Sequence, residues 1–503
     1  MSHASESVSA RAEDAATIAL SLISHTNAGK TTLARTLLDQ DVGEVRDAPH
    51  VTQEASAHRL IASSAGDVLT LWDTPGFGDS ARLAKRLRQE GSPVGWFLSQ
   101  VWDRYRDRTF WLTQKAVRNV RDDADVVLYL VNASEMPEDA GYLAPELQVL
   151  AWIDKPVIAL LNQAGAAADP AADARWRERL KGAPVRAVLA LDAFARCWVQ
   201  ELVLFDAIAP ALPQAKQPAF ARLASAWEAR RWDQFDAATT AIAAPVARAA
   251  SDRATLAVEP LLSKVGRQLG ISRGEGESAT TRAEREMVER IERDLRNSTD
   301  RLIEIHGLKG NADAQSLARA TGDLRRDAPV DEGKAAMVGG LVSGTLTGLG
   351  ADIAAGGLTL GGGMLAGALL GALGGVGVAR GMNVARERTQ SVLSWNDSLL
   401  DALVRDMLLR YLAVAHFGRG RGEWRAGALP EAWRDAVERA QARHNPAFAD
   451  LWAARTTDAS LLEPRLRDVL SACAEDALRT LYPGARLTRA SASTHSATSA
   501  GPR

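Results

Sequence analysis

A short segment near the start of the sequence has residue types that bind phosphate groups. Gly29, Lys30 and Thr31 follow the apolar, β-forming run 17–23 and precede a helix-like segment over 32–38. A strand, loop and helix in this order let backbone N–H groups and the helix N-terminus surround phosphate oxygens. Lys30 would then contact the terminal phosphates, and the Thr31 hydroxyl would coordinate Mg²⁺. The alternative is a strand, turn and helix that contain these residues by chance.

Ser24 stands where such loops usually have their first glycine. Serine is small and fits this position if its backbone φ is negative, so the substitution does not exclude phosphate binding. We assign the loop contacts to six residues: Asn27, Ala28, Gly29, Lys30, Thr31 and Thr32.

A second group of polar residues follows another predicted strand, over 67–72. It is the sequence Asp73-Thr74-Pro75-Gly76, in which the Asp73 carboxylate would hold Mg²⁺ through water and the Gly76 N–H would contact a γ-phosphate. Thr52 lies between the two motifs, on a segment that is interpreted as a switch loop. The predicted Mg²⁺ ligands are therefore Thr31, Thr52 and Asp73.

Further apolar runs predict the sheet that must position these residues. They span 125–131, 156–161 and 185–191, and helix-like stretches separate them. Alternating strands and helices indicate an α/β fold with a mostly parallel sheet covered on both faces. Ligands of such sheets bind at the carboxyl ends of the strands, where all of these motifs fall.

The motifs together resemble the Era/TrmE branch of bacterial small GTPases, also called the TrmE–Era–EngA branch. The matching residues are 27–31, Thr52, 73–76, and the sequence LVNAS ahead of the strand that ends in Asn162. The resemblance covers about residues 17–195. It implies a Ras-like P-loop NTPase fold, GTP and Mg²⁺ as ligands, and hydrolysis of GTP to GDP and phosphate.

The base-reading motif departs from this family. Asn162, Gln163, Ala164 and Gly165 replace its usual Asn-Lys-x-Asp, so Asn162 and Gln163 remain as candidate base contacts. Gly165 has no carboxylate to accept the two guanine protons, and losing such a pair weakens base discrimination by about 1–3 kcal/mol. GTP is favoured over ATP by the resemblance alone.

The catalytic residues also depart from the commonest GTPase pattern. Phe77 occupies the place of a water-orienting glutamine, and a phenyl ring cannot orient water. Asn27 matches the asparagine that helps TrmE-like proteins bind a catalytic K⁺ ion; the alternative is a loop-stabilising role. We assign catalysis to Lys30, Asn27, Gly76 and Thr52, and we expect slow intrinsic turnover.

Composition limits the possible classes of protein. The chain has 503 residues, 46% of them hydrophobic and 24% charged, with a net charge of −2 and two cysteines. The near-neutral charge disfavours a protein that binds nucleic acid over its whole surface. The two cysteines are too few for a disulfide framework. The N-terminal residues have no pattern of a secretory signal. We therefore expect a cytoplasmic protein.

The order of sequence patterns predicts six regions. They are a disordered lead over 1–15, the G domain over 16–200 with a helical insert at about 79–124, a helical region over 205–334, a glycine-rich apolar hairpin over 335–381, a C-terminal helical region over 382–488, and a disordered tail over 489–503. The whole chain is similar to a bacterial family of Era-like GTPases that carry a long helical C-terminal domain of unknown function. Long helices are predicted over 282–303 and 392–417.

The insert begins with basic residues and continues with aromatic ones, including Trp96, Trp102, Tyr105 and Trp111. The favoured interpretation is an amphipathic helix pair that packs on the G domain with its tryptophans in the core. The alternative is RNA binding by base stacking.

Residues 335–379 contain one charged side chain, Asp352, and glycines recur there at every fourth position. Small residues at this spacing let two helices approach closely, as in membranes. Basic residues flank both ends, so both termini would be cytoplasmic with the hairpin in the inner membrane. The alternative is a soluble hairpin inside the helical domain.

Three functions follow. The first is a slow GTPase switch attached to the inner membrane, which acts on a protein effector. The second is an RNA- or ribosome-linked GTPase; the near-neutral charge and the lack of a recognisable RNA-binding module weigh against it. The third is a nucleotide-binding scaffold that does not hydrolyse its ligand.

Overall fold

A computed structural model gives the fold of the chain. The residues that it describes are 15–26, 28–39, 56–89, 98–163, 170–193, 195–256, 279–310, 382–387, 390–418, 424 and 429–489.

The N-terminal half is built on a six-stranded sheet with the spatial order β2-β3-β1-β4-β5-β6. All neighbouring strands are parallel except β2 and β3, which are antiparallel. The strands are β1 (Thr17–Ser24), β2 (Ser56–Ala62), β3 (Val68–Asp73), β4 (Val126–Asn132), β5 (Val157–Asn162) and β6 (Ala187–Ala190).

The central strands form where the sequence has continuous apolar runs. In β1 every residue after Thr17 is buried, and all six residues of β5 are buried, as expected for strands covered on both faces. The strands predicted from these runs are confirmed to within about two residues at each end. The edge strand β2, with the mixed sequence SAHRLIA, was not predicted.

Helices cover both faces of this sheet. They are α1 (Lys30–Leu38), α2 (Ser80–Arg88), α3 (Asp103–Arg106), α4 (Arg108–Asp123), α5 (Leu143–Ile153), α6 (Pro170–Arg179) and α7 (Trp198–Ile208). A π-helical turn, Leu98–Trp102, leads into α3. The N-terminal half thus has the P-loop α/β fold that the sequence predicts.

The C-terminal half is mainly helical. Its described helices are α8 (Gln217–Ser251), α9 (Ala279–Ile305), α10 (Asp397–Ala415), α11 (Glu431–Ala453) and α12 (Ala459–Leu481). The predicted helix over 282–303 is confirmed within α9. Ile291, Leu295 and Leu302 are buried along one face of this helix.

The prediction of one helix over 392–417 was wrong at its start. Gln390–Trp395 is strand β9, which pairs with β7 (Arg253–Leu256) and β8 (Met382–Glu387) in an antiparallel sheet of order β7-β9-β8. Burial alternates along Val392–Trp395, which is the period of a strand. Asn396 then caps α10, because its side chain accepts a hydrogen bond from the Leu399 N–H at 3.0 Å.

The core beneath one face of the large sheet is shared by the two halves of the chain. Phe220, Leu223 and Trp227 of α8 are buried in the same apolar cluster as Leu69 and Leu71 of β3. Phe205 of α7 stacks on both Phe220 and Trp227 with ring centroids 5.4 Å apart. The first half of α8 therefore completes the core of the nucleotide-binding fold.

A buried network of charges reinforces this junction. Asp39 ends α1 with a left-handed backbone, φ 54°, and accepts a hydrogen bond from Arg231 Nη1 at 2.9 Å. The Arg231 Nε lies 2.7 Å from Glu201, which is fully buried and also accepts from Trp227 Nε1. The surrounding arginines hold the pKa of Asp39 below its usual range against the effect of burial. The C-terminal end of α1, the helix that follows the phosphate loop, is thus bonded to residues of the helical half.

The predicted packing of the insert is correct for some aromatic residues and wrong for others. Phe110 of α4 is buried against the sheet, but Trp102 is 47% exposed and Tyr105 is 83% exposed. Tyr105 lies on α3, which has only one turn and is not part of a long amphipathic helix. Trp102 and Tyr105 are therefore not core residues.

Several predicted features lie outside the described residues. They include Asn27, Thr52, Gly165, the glycine-rich segment 335–381, the lead over 1–14 and the tail over 490–503. Among the helices that the structure describes, none is long and apolar enough to cross a bilayer.

Candidate nucleotide-binding site

The phosphate loop joins the carboxyl end of β1 to α1. Gly29 precedes the helix with φ +88°, and a Cβ atom there would lie 2.6 Å from Asn162 Nδ2. Both the backbone conformation and the space therefore require glycine at this position. This geometry brings Ala28, Gly29, Lys30 and Thr31 to the end of the sheet, next to Asn162.

The Lys30 ammonium group is buried below the loop. Its Nζ donates a hydrogen bond to Ser24 Oγ at 2.9 Å, so the residue that replaces the first glycine contacts the lysine directly. Burial lowers the pKa of Lys30, and the carboxylates of Asp73 and Glu146 act in the opposite direction. The Ser24 carbonyl also accepts a hydrogen bond from the Phe77 N–H at 3.0 Å, which joins the end of β1 to the residue after Gly76.

Asp73 and Thr31 meet between the two predicted motifs. Thr31 Oγ1 donates to Asp73 Oδ2 at 2.6 Å. The other carboxylate oxygen, Oδ1, is buried and has no hydrogen-bond partner among the described residues. Burial raises the pKa of Asp73, while the Thr31 hydrogen bond and Lys30 lower it. A hydroxyl beside a buried carboxylate with an unsatisfied oxygen is a donor set that fits Mg²⁺.

Gly76 lies against the loop and the lysine. A Cβ atom at Gly76 would lie 3.2 Å from Lys30 Nζ and 3.0 Å from the Thr26 Cα. The Thr26 hydroxyl is also buried without a hydrogen-bond partner among the described residues. The two motifs are therefore brought together, and the polar groups between them can accept a ligand.

Asn162 holds the loop from the neighbouring strand. Its Nδ2 donates to the Ala28 carbonyl at 2.7 Å, and its Oδ1 accepts the Ala193 N–H at 2.8 Å. The side chain is fully buried and has a second amide hydrogen that these bonds do not use. Gln163 follows with φ 63°, and its Nε2 would lie 3.5 Å from a Cβ atom at Gly29.

His25 and Glu146 form a contact that sequence reasoning missed. His25 Nδ1 lies 2.8 Å from Glu146 Oε1, and Tyr129 donates its hydroxyl to Glu146 Oε2 at 2.6 Å. The imidazole also stacks on Tyr142, with centroids 4.2 Å apart. Glu146 is fully buried, and this burial raises its pKa. The one signal in the sequence was a glutamate within the apolar stretch 143–153.

Phe77 is directed away from the site. Its side chain is 1% exposed and packs with Ile23 and Leu83 in the core beneath the second face of the sheet. This agrees with the prediction that Phe77 does not orient water.

Comparison with known proteins agrees with this geometry. Residues 20–163 match the family model described as 50S ribosome-binding GTPase. The N-terminal half is therefore a GTP-binding domain of the small P-loop GTPase class. Residues 177–470 match the family model described as a domain of unknown function, DUF3482. That match spans more than half of the chain, so the protein belongs to the DUF3482 family.

Part of the chain is also similar to solved structures of GTP-binding proteins. Aquifex aeolicus Era bound to GDP·AlF4⁻ is 17% identical, with a TM-score of 0.29, over 39% of this chain and 57% of that chain. Era in complex with MgGDPNP and nucleotides of 16S ribosomal RNA is 16% identical, with a TM-score of 0.30, over the same shares. A probable GTP-binding protein, EngB, is 18% identical, with a TM-score of 0.23, over 35% of this chain and 88% of that chain.

The matched region spans little more than half the length of either Era chain. No curated protein matches the sequence.

Proposed function

We propose that this protein is a slow, Mg²⁺-dependent GTPase whose nucleotide state controls the helical half. The observation that carries the proposal is the buried Asp73 carboxylate beside Thr31, with one oxygen unsatisfied and Lys30 close by. Lys30 and Asp73 partly compensate each other's charge. A nucleotide phosphate with its metal ion offers both groups better partners.

Each residue has a proposed role toward the nucleotide. Thr31, Asp73 and Thr52 would hold Mg²⁺, which neutralises phosphate charge when bound. Lys30 and the N–H groups of residues 27–32 would hold the phosphates, and Gly76 would sense the γ-phosphate. Asn162 and Gln163 would lie beside the base. Because Gly165 replaces the usual aspartate, we expect weaker discrimination against ATP than related GTPases have.

Hydrolysis would depend on electrostatics rather than on a water-orienting side chain, because the Phe77 side chain is buried in the core. We propose that Asn27 contributes to a K⁺ site, as the resemblance to the Era/TrmE branch implies. The expected consequence is faster turnover in K⁺ than in Na⁺, since K⁺ would supply positive charge at the transition state.

A nucleotide panel tests these roles. Binding of GTP, GDP and ATP is measured by calorimetry, and phosphate release is followed with Mg²⁺ in K⁺ and in Na⁺. Lys30→Ala should abolish nucleotide binding and phosphate release. Asp73→Asn should weaken Mg²⁺ binding, so that phosphate release needs a higher Mg²⁺ concentration. Lys181→Ala is the matched control, because Lys181 is a surface lysine with a 75% exposed side chain.

Different results identify different failures. Tight GTP binding with no phosphate release in either salt would make the protein a nucleotide-binding scaffold. Equal affinity for ATP and GTP would show that the loss of the aspartate has removed base specificity. Equal rates in K⁺ and Na⁺ would remove the role of Asn27 in cation binding and leave the GTPase proposal intact.

We also propose that residues 335–381 attach the protein to the cytoplasmic side of the inner membrane, and that a protein effector receives the signal. The support is the sequence pattern of that segment. Fractionation of cells gives the test: protein that stays in the supernatant without detergent contradicts membrane attachment. The six regions inferred from the sequence remain the proposed domain organisation.

A ribosome-linked GTPase is the second candidate function. It is favoured by the description of the family model that matches residues 20–163. RNA that co-purifies with the protein and survives moderate salt would support this function.

A further inference from the structure

The insert between β3 and β4 carries an exposed aromatic surface. Tyr105 is 83% exposed and Trp102 is 47% exposed, and they account for two of the four large hydrophobic side chains that the described residues leave exposed. They lie three positions apart, where the π-helical turn meets α3. Exposed aromatic side chains in close sequence are uncommon on a solvated surface and indicate a contact site.

Positive charge surrounds these rings. Four basic residues of this region are exposed: Arg104, Arg106, Arg108 and Lys115. The guanidinium of Arg106 lies 5.2 Å from the Trp102 ring, and Arg104 and Lys115 lie 5.5 Å and 5.8 Å from the Trp111 ring. The protein as a whole has a net charge of −2, so this is a local positive surface.

The two acidic residues of the same segment are both paired with arginines of α2. Asp103 is fully buried and contacts Arg86 Nε at 2.8 Å and Gln114 Nε2 at 2.8 Å. Asp107 accepts from Arg82 Nη1 at 2.6 Å. Both carboxylates are therefore neutralised by arginines of α2, and the positive charge of the exposed cations beside the aromatic rings stays uncompensated by these two residues.

These contacts also fix the surface in place. Arg82 stacks on Phe110, with its guanidinium carbon 3.8 Å from the ring centroid. Arg82 and Arg86 belong to α2, which begins four residues after Gly76. The surface is thus held by α2, the helix that follows the proposed γ-phosphate sensor. Because its side chains are already positioned, binding does not carry the entropy cost of ordering them.

We infer that Trp102, Tyr105 and the cations around them form a docking surface for anionic phospholipid headgroups. Tryptophan and tyrosine prefer the headgroup level of a bilayer, where the ring is partly buried and its polar atom stays hydrated. Each nearby arginine or lysine is attracted to the negative potential of an anionic membrane surface. The surface is distinct from residues 335–381, and lipid binding by it does not depend on GTP hydrolysis.

Single-stranded nucleic acid fits this surface less well. A base would stack on an aromatic face, but cations of the protein already lie 5.2–5.8 Å from the Trp102 and Trp111 centroids. Insertion of Tyr105 and the edge of Trp102 into a headgroup layer leaves those cation–π contacts in place.

A fluorescent probe at Tyr105 tests the inference. The native thiols do not interfere, because Cys197 and Cys473 are buried and burial raises the pKa of each to about 12. Tyr105→Cys in the full chain is labelled with an environment-sensitive probe (NBD). Leu461→Cys, at a 65% exposed position on α12, carries the same probe as the control.

The labelled proteins are mixed with vesicles of phosphatidylcholine alone or with added phosphatidylglycerol. We expect emission from position 105 to shift to the blue and to rise roughly twofold with anionic vesicles only, because the probe leaves water. About 0.5 M NaCl should reverse the change by screening. Adding Arg104→Glu and Arg106→Glu should abolish it, with circular dichroism unchanged. The Lys30→Ala protein should retain the signal, which separates this inference from the GTPase proposal.

Other outcomes overturn the inference. They are an unchanged probe at position 105 while the protein sediments with anionic vesicles, an equal response to neutral vesicles, or an equal response at position 461. A probe that responds to a single-stranded oligonucleotide and not to vesicles would identify a nucleic-acid surface instead.

Discussion

His25 of the phosphate loop and Glu146 of α5 are joined by a hydrogen bond of 2.8 Å, although 121 positions separate them. Glu146 is fully buried, and Tyr129 of β4 holds its other oxygen at 2.6 Å. One carboxylate therefore fixes the loop to both a helix and a strand of the G domain. This makes Glu146 a positioning residue for the loop.

Glu146→Ala should speed nucleotide dissociation. A hydrogen bond with a charged partner contributes about 1.5–3 kcal/mol, so we expect roughly a tenfold or larger loss of affinity. Stopped-flow release of a fluorescent GDP analogue gives the rate. Glu146→Gln keeps the side-chain shape and one acceptor, and it should lose clearly less. Equal losses in both variants would contradict a positioning role.

Ser24→Ala should destabilise the ligand-free protein more than the nucleotide-bound protein. Without the Ser24 hydroxyl, the buried Lys30 ammonium loses the partner at 2.9 Å, at a cost of about 1.5–3 kcal/mol. In the proposed complex, phosphate oxygens contact Lys30 and the difference shrinks. Thermal unfolding with and without GDP and Mg²⁺ measures both states. Ser24→Thr retains a hydroxyl and is the control. A loss of thermal stability in Ser24→Ala that is equally large with nucleotide bound would argue against this exchange of partners.

Gly76→Ala should impair the response to a γ-phosphate. The new methyl group would lie 3.2 Å from Lys30 Nζ and 3.0 Å from the Thr26 Cα, so the loop or the glycine must shift. We expect phosphate release to fall by on the order of 10²-fold, with GDP affinity affected much less. Gly141→Ala is the matched control, because a Cβ at Gly141 meets nothing within 4 Å. Normal turnover in Gly76→Ala would remove Gly76 from the site.

Arg231→Met should strongly destabilise the whole chain. Its guanidinium is 1% exposed and lies between Glu201 and Asp39, so its removal takes the most buried cation away from two buried carboxylates and leaves Arg196 as their shared partner. Breaking a buried ion pair by removing one partner costs about 3–5 kcal/mol. Urea unfolding measures the loss. Arg285→Met, at an exposed pair with Glu289, should cost about 0–1 kcal/mol. A small loss in Arg231→Met would mean that Arg196 and Arg230 are sufficient partners for the carboxylates.

Glu292 should make stability depend on pH. Burial raises its pKa from 4.5 to about 7, so the folded state binds more protons than the unfolded state between these values. Stability from this group is thus present below pH 4.5 and is lost as pH rises toward 7. Glu292→Gln should remove this loss and gain roughly 1–2 kcal/mol relative to the native protein at pH 8, after allowance for screening. Urea unfolding at pH 5 and pH 8 tests this. The same difference in free energy of unfolding between Glu292→Gln and the native protein at both pH values would contradict it.

The parts of the fold that were predictable from sequence are those encoded locally. The central strands β4 and β5 are continuous apolar runs that end at a polar residue, as Val157–Asn162 ends at Asn162. The edge strand β2 has no such run, because its position is set by pairing with β3. Strand β9 was taken as helix because its short alternating pattern continues directly into the apolar residues of α10.

The site was predictable to the same extent. Gly29, Lys30, Thr31, Asp73 and Gly76 are close to one another in sequence motifs, and the structure places them together. The links to Glu146 and to Ser24 Oγ were not predictable, because they depend on where side chains from distant elements point. The same holds for Asp39, whose partners lie more than 150 positions away.

The shared core beneath β3 has a practical consequence for the boundary between the halves. A fragment that stops near residue 200 lacks Phe220, Leu223 and Trp227, and the apolar residues of the sheet that they cover would face water. Such a fragment would aggregate for reasons unrelated to nucleotide chemistry. The smallest piece that carries a complete core under this face of the sheet includes the first half of α8. Any truncated version of the chain should therefore keep the GTPase domain together with the first half of α8.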